Sequence, residues 1–208
     1  MEILAHRGIW KNTQEKNSYK AITGALVKSF GVEIDLRDYN GKVVISHDTP
    51  SQEVLYFEDI LIFYNEQKLS STMALNIKAD GLCYLLKGLL SKYSIKEYFV
   101  FDMSIPDNVE YKNIGINFYT RKSEYESCVL IDFANGIWID ELDASWMSYE
   151  KILSLVKYNK KLCFVSAEIH HRPNENQWKM IKQLSIKCPD IEIMLCTDKP
   201  DDARAFFK

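Results

Sequence analysis

No stretch of this 208-residue sequence approaches the roughly 18 consecutive apolar residues of a membrane-spanning helix, so no such span is expected. The N-terminus, Met1-Glu2-Ile3-Leu4-Ala5-His6, has no basic segment and an apolar run of only three residues, and it does not read as a signal peptide. Charge of one sign is not in excess. The formal net charge is −3 and no dense lysine–arginine stripe occurs, which argues against a nucleic-acid partner and its phosphate-tracking footprint. Cysteine is sparse and unpatterned: five residues, at 83, 128, 163, 188 and 196, odd in number and without a CxxC pair. That usage suits reduced, buried thiols in a cytoplasmic protein better than a disulfide framework. Linkers, internal repeats and low-complexity segments are also absent, so a single domain over residues 1–208 is expected.

What is present is a rhythm of short apolar runs and amphipathic segments. Strands are predicted near 2–6, 32–36, 73–78, 98–102, 116–119, 136–140, 162–168 and 191–196. Between them, helical periodicity is predicted over 19–29 (with Ser18 as N-cap), 53–67, 80–92, 122–133, 148–158, 174–186 and 200–207, with a short helical turn opening at Pro106-Asp107. Tyr39-Asn40-Gly41 signals a hairpin into 42–46. Continuous apolar strands alternating with helices indicate parallel pairing with both faces covered. Eight such units predict an α/β chain folded as a compact single (β/α)8 TIM barrel, although about 250 residues is more usual for that architecture.

Chemistry concentrates in the first quarter of the chain. Ala5-His6-Arg7-Gly8 follows one apolar run, and Ser46-His47-Asp48 follows Val43-Val44-Ile45, so both histidines stand at strand ends. Glu33 and Asp35 are spaced i, i+2, which in a strand sends both carboxylates to one face. Two carboxylates turned into a barrel need a cation or an arginine beside them, and oxygen ligands of this kind suit Mg²⁺ or Ca²⁺. Imidazoles titrate close to neutrality and can act as acid or base, and a guanidinium beside one can grip phosphate oxygens. Barrel chemistry sits at the C-terminal ends of strands. His6, Glu33, Asp35, Asn76, Lys78, Asp102, Asp140 and Glu168 fall at or near such ends.

Ala5-His6-Arg7-Gly8, then Asn17-Ser18, then Glu33-x-Asp35, then His47-Asp48, resembles the glycerophosphodiester phosphodiesterase family and its phospholipase-C-like superfamily. A weaker echo lies in Cys196-Thr197-Asp198-Lys199-Pro200. The resemblance implies a metal-dependent hydrolase of small-molecule phosphodiesters, acting in lipid metabolism. By the same resemblance, His6 and His47 would be the general acid and base, Arg7 and Lys78 would bind phosphate, and Glu33, Asp35 and Asn76 would ligate the metal. The resemblance also implies a neighbouring hydroxyl of the substrate as the attacking group, giving a cyclic phosphate first.

The sequence departs from the family pattern at three places. Lys16 stands directly before Asn17 where the family carries Glu, and Glu15 one residue earlier is the nearest substitute. Asn76-Ile77-Lys78 takes the place of Glu-x-Lys, leaving an uncharged ligand that Asp80, Asp102 or Glu168 could supplement. Only about two dozen residues separate Asp48 from the next strand, so the family's insertion is short or missing. These departures are the basis of an alternative: a degenerate, non-catalytic barrel that binds a phosphorylated ligand. Of the remaining polar residues, Glu168, His170 and His171 read as a loop or rim, Glu141 and Asp143 as solvated, and Trp10 as lining the mouth of the site. Trp138 and Phe101 read as core.

Overall fold

Uninterrupted apolar strands must be buried on both faces, and the chain uses them as parallel ladders. The computed structural model describes residues 1–208, which group into two compact units, Leu4–Phe118 and Met1–Ile3 with Tyr119–Lys208.

The first unit takes its elements in the order β1 (Glu2–His6, from Leu4 onward), α1 (Tyr19–Val27), β2 (Gly31–Tyr39), β3 (Lys42–Ile45), β4 (Leu55–Tyr56), α2 (Phe57–Glu66), β5 (Met73–Ile77), α3 (Cys83–Lys92), β6 (Tyr98–Phe101) and α4 (Ile105–Asn113). β1, β2, β5 and β6 form a parallel ladder in that spatial order. Its register sets His6 beside Glu33, Asp35 beside Asn76, and Asn76 beside Phe101. Beyond β6, Val100 bridges Phe118 in parallel and its amide donates to the Asn117 carbonyl at 2.9 Å. α1 starts as its N-cap predicts: the Ser18 hydroxyl accepts the Ala21 amide at 3.1 Å. The Asn-Gly turn also holds, with φ of 50° at Asn40 and 73° at Gly41, the paired positive values of a primed hairpin turn.

Two elements differ from expectation. The helix predicted over 53–67 starts only at Phe57, because Leu55 and Tyr56 pair with Ile45 and Val44 as a third antiparallel strand. The turn at Pro106 is a nine-residue helix, α4, started by the Ser104 hydroxyl on the Asp107 amide with proline in the first turn.

The second unit contains β7 (Tyr119–Lys122), β8 (Gly136–Ile139), α5 (Tyr149–Leu155), β9 (Lys161–Val165), α6 (Glu175–Lys187), β10 (Ile193–Thr197) and α7 (Pro200–Phe206). β7 to β10 are parallel in sequence order. The strand expected at 116–119 lies three residues later, at 119–122. There Tyr119 sits opposite Gly136, and a Cβ on that glycine would lie 2.3 Å from the Tyr119 ring, so the bare backbone is what admits the ring. The helix predicted over 122–133 does not form. Its apolar residues Val129 and Phe133 stay exposed, so no apolar stripe is buried to stabilise a helix. The Glu124 carboxylate instead accepts amides from Leu142, Asp143 and Ala144 and holds the segment as a loop. Burial alone would raise the Glu124 pKa, but those amides outweigh it and lower it to about 2.

Eight parallel strands and seven helices therefore follow the expected α/β alternation except between β7 and β8, where a loop stands in for the helix, with β3 and β4 as an antiparallel arm. No helix is long and apolar enough to cross a membrane.

Candidate phosphodiester site

The end of β1 is shaped by backbone before side chains. Arg7 is left-handed (φ 58°) and its amide donates to the Glu33 carbonyl at 3.1 Å, which turns the chain out of the ladder just after His6. Gly8 follows at φ +88°, and a Cβ there would stand 2.4 Å from the Ala21 carbonyl carbon, so only glycine lets the turn pack on α1. Asn17 is also left-handed (φ 61°) and donates its amide to the Arg7 carbonyl at 3.0 Å. The nine residues from Ile9 to Asn17 thus return to the residue beside His6.

Around this turn six of the seven predicted site residues converge. Asp35, with no exposed side-chain surface, is the centre. Arg7 Nε lies 2.7 Å from its Oδ2 and Lys78 Nζ lies 3.3 Å from its Oδ1. The Asn17 side-chain amide donates to Oδ2 at 2.7 Å. Arg7 and Lys78 keep 20% and 21% of their side-chain surface exposed, so both cations can reach a ligand while holding the carboxylate. His6 Nε2 is 3.8 Å from Glu33 Oε2, across the pair of strands whose register sets them side by side. Burial drives the Glu33 pKa up to about 8, and the charge of Asp35 adds to the rise. Arg7, Lys78 and a hydrogen bond from Asn76 oppose it.

The seventh residue, His47, has partners of its own, next to Ser46, whose amide donates to the Asp35 carbonyl at 3.1 Å. His47 follows β3, with 48% of its side chain exposed, and its Nδ1 is 2.8 Å from the Asp48 carboxylate. Its carbonyl accepts from Arg37 Nε at 3.0 Å. It makes no hydrogen bond or ion pair with the other six.

Two buried oxygens on this face, Glu33 Oε2 and Asn76 Oδ1, have no hydrogen-bond partner, and a third, Asp35 Oδ1, has only the ion pair with Lys78 at 3.3 Å. Leaving such atoms unmatched is costly, and hard oxygen donors on adjacent strands are the ligand set that Mg²⁺ or Ca²⁺ takes. The residues fit a divalent cation. No group of three histidine, cysteine or acidic side chains gathers as a metal cluster, since the third donor here is the amide Asn76.

The substitutes considered for the missing carboxylates have other partners. Glu15 accepts the Lys11 amide at 2.7 Å, which lowers its pKa and closes the loop on itself. Asp80 accepts from the Ser104 hydroxyl at 2.6 Å. Glu168, in the second unit, accepts from the hydroxyls of Ser166 and Thr197, the Asn174 amide group and the Asp198 backbone. The Thr197-Asp198 segment is thereby tied to the end of β9. Glu141, expected in solvent, is buried; burial raises its pKa, and its carboxylate accepts the Met147 amide at 2.9 Å. Asp143 is exposed as expected, and Trp138 and Phe101 are core.

Sequence reasoning read Asp140 as a strand-end residue that could support the site and His170 as part of a loop or rim, without joining the two. Buried Asp140 holds Arg121 Nη1 at 3.1 Å and His170 Nε2 at 2.8 Å, joining the ends of β7 and β8 to the turn after β9. The strand-end position of Asp140 was the available signal, but Arg121 lay between the predicted strand at 116–119 and the predicted helix at 122–133. Asn17 was quoted as part of a motif without a role, and its contact with Asp35 appears only when the loop is folded.

The whole chain has the architecture of proteins already known. The structure of a proposed glycerophosphodiester phosphodiesterase from Galdieria sulphuraria superposes with a TM-score of 0.79 at 16% identity, covering 99% of this chain and 97% of that one. The fold is that of the glycerophosphodiester phosphodiesterases. The enzyme of that name from Agrobacterium tumefaciens matches with a TM-score of 0.67 at 12% identity, over 100% of this chain and 98% of its own. A Ca²⁺-dependent phosphatidylinositol-specific phospholipase C from Streptomyces antibioticus matches with a TM-score of 0.61 at 10% identity, over 100% and 96%. No protein-family model and no curated protein matches the sequence. The expected barrel class therefore stands on structure, and the phosphodiesterase-like motifs lie within a phosphodiesterase-like fold.

Proposed function

We propose that the protein is a metal-dependent phosphodiester hydrolase of the glycerophosphodiester phosphodiesterase kind, formed by one domain over residues 1–208 with a shortened segment after residue 48. The observation that carries this reading is Asp35: fully buried, it is gripped by two cations that are themselves partly open, beside a histidine paired with a second buried carboxylate. A purely structural ion pair would not need a second buried carboxylate with an unmatched oxygen next to it.

Glu33, Asp35 and Asn76 would hold the divalent cation, Mg²⁺ or Ca²⁺. When bound, it neutralises phosphate charge and acidifies an attacking hydroxyl. Arg7 and Lys78 bind the nonbridging phosphate oxygens and stabilise the charge that grows on them. His6 and His47 divide the proton traffic, one accepting from the attacking oxygen and the other supplying the leaving alkoxide. Asp48 engages Nδ1 of His47, which leaves Nε2 as the nitrogen that exchanges a proton. His47 is half-exposed and bonds none of the other six residues, so its part is played toward the substrate's alcohol. Free thiols at all five cysteines suit a reducing, cytoplasmic setting.

A panel of glycerophosphodiesters and an activated aryl diester, assayed with Mg²⁺, Ca²⁺, Mn²⁺ or EDTA, tests the reading. Metal-dependent turnover that disappears in His6→Ala and Glu33→Ala is expected. Asn76 favours one second reading, a barrel that binds a phosphate ester without cleaving it. Tight binding with no turnover under any metal would establish that instead.

A further inference from the structure

Within the first unit, the antiparallel arm and α3 leave a groove of about 480 Å³ between them. Val43 and Tyr56 line it from the arm, and Tyr84, Leu85, Gly88 and Leu89 line it from α3. The four α3 residues are spaced i, i+1, i+4 and i+5, so they share one face of that helix. It is the face turned away from the core: Cys83, Leu86 and Leu90 are buried, whereas Tyr84 is 66% exposed and Leu85 43%. The outward face of a surface helix is ordinarily polar. Gly88 is the least expected residue on it. Glycine is the poorest helix former after proline, the backbone here is ordinary helix, and nothing lies within 4 Å of where a Cβ would stand. The chain's own packing does not call for this glycine. Bare backbone on an exposed apolar face instead admits a close neighbour from outside.

The patch carries a projection and a recess one helical turn apart, Tyr84 and Leu85 at the first and Gly88 at the second. Two copies of α3 crossing antiparallel about an axis between these turns would set the bulky pair of each on the glycine turn of the other. That is the self-complementary match a two-fold interface requires. The charges at the rim agree with it. Lys42 and Lys92 stand with Glu58 and Asp59, two of each sign, so a second copy of the patch meets no excess of like charge. Lys92 is already paired with Glu58 at 2.7 Å. Lys42, which lies over the Tyr56 ring at 4.7 Å, and Asp59, in the first turn of α2, form no salt bridge within the chain and remain available to one across the axis. We propose that this face of α3, with the arm beside it, is the surface by which two copies of the chain associate as a two-fold dimer. Any other partner would have to bring a matching projection and balanced charge of its own, whereas a second copy carries both.

Sedimentation equilibrium of the full chain, from micromolar to submillimolar concentration, tests the proposal. The native protein is compared with Leu85→Glu, which charges the projection, and Gly88→Leu, which fills the recess. Circular dichroism and melting curves establish that each variant is folded. The native chain is expected to pass from monomer to dimer as its concentration rises, and both variants should dissociate on the order of tenfold more readily or beyond. Gly88→Leu exchanges a poor helix former for a good one at an exposed position, so its dimer should weaken while its helix content holds or rises. Unfolding cannot produce that combination. A native protein that stays monomeric throughout overturns the proposal and leaves the groove to a different occupant. A dimer as tight in both variants as in the native protein overturns it as well. Hydrolysis has no part in the readout, so the outcome is independent of the reaction proposed above.

Discussion

Asn17 holds Asp35 by side chain and backbone together. Its amide nitrogen donates to the carboxylate at 2.7 Å and its amide oxygen accepts the Asp35 backbone N–H at 3.4 Å. Together the two contacts fix the orientation of the carboxylate. Asn17→Ala removes both contacts from a buried charge, and should cost about 1–3 kcal/mol of stability. A fall in kcat/KM of roughly 10- to 100-fold is expected with it, as for other partners that orient a ligating carboxylate. Thermal unfolding beside steady-state kinetics checks both; full activity in Asn17→Ala would show that Arg7 and Lys78 orient Asp35 without help.

Gly8 is irreplaceable for a different reason. Its left-handed backbone and the 2.4 Å approach of any Cβ to the Ala21 backbone leave no space for a methyl group. Gly8→Ala should destabilise the protein by about 3 kcal/mol or more and displace Arg7. Denaturant unfolding would read the loss, and a midpoint within error of the native protein would contradict the packing described.

At Asn76 the cost of an uncharged donor can be measured. Asn76→Asp keeps the shape and adds a charge next to Glu33 and Asp35. Without metal the variant should be less stable, since like charges crowd a buried face. With metal it should bind Ca²⁺ or Mg²⁺ about tenfold more tightly or better. Calorimetric titration and melting curves in EDTA are expected to move in these opposite directions. Weaker metal binding in Asn76→Asp would remove residue 76 from the ligand set.

Glu33 makes stability depend on pH. Burial, reinforced by Asp35, raises its pKa from the ordinary 4.5 to about 8 in the folded protein. Between those values the unfolded chain gives up a proton that the folded chain keeps, so stability falls as pH rises through the window. The loss should amount to a few kcal/mol in EDTA. Glu33→Gln, which stays neutral, should flatten the slope. An equal slope in both proteins, followed by urea unfolding from pH 4.5 to 8.5, would assign the effect to another group.

Much of this molecule was determined by local pattern. The apolar runs placed the strands, and Ser18 and Asn40-Gly41 placed a helix start and a hairpin. The i, i+2 spacing put Glu33 and Asp35 on one face because strand side chains alternate. Tertiary structure decided what local pattern leaves open. Residues 122–133 have helical periodicity, but Val129 and Phe133 stay exposed, and amides from distant residues 142–144 capture Glu124, so the segment became a loop. Strand register set His6 against Glu33 and Asn76 against Asp35, a matching between segments far apart in the chain. Two residues in left-handed conformation, Arg7 and Asn17, brought the Asn17 amide to Asp35. His47 and its motif were plain in the sequence, yet its pairing with Asp48 rather than with any of the other six was not. Residue type specifies which chemistry is possible, while distances between strands and loops come from packing the whole chain.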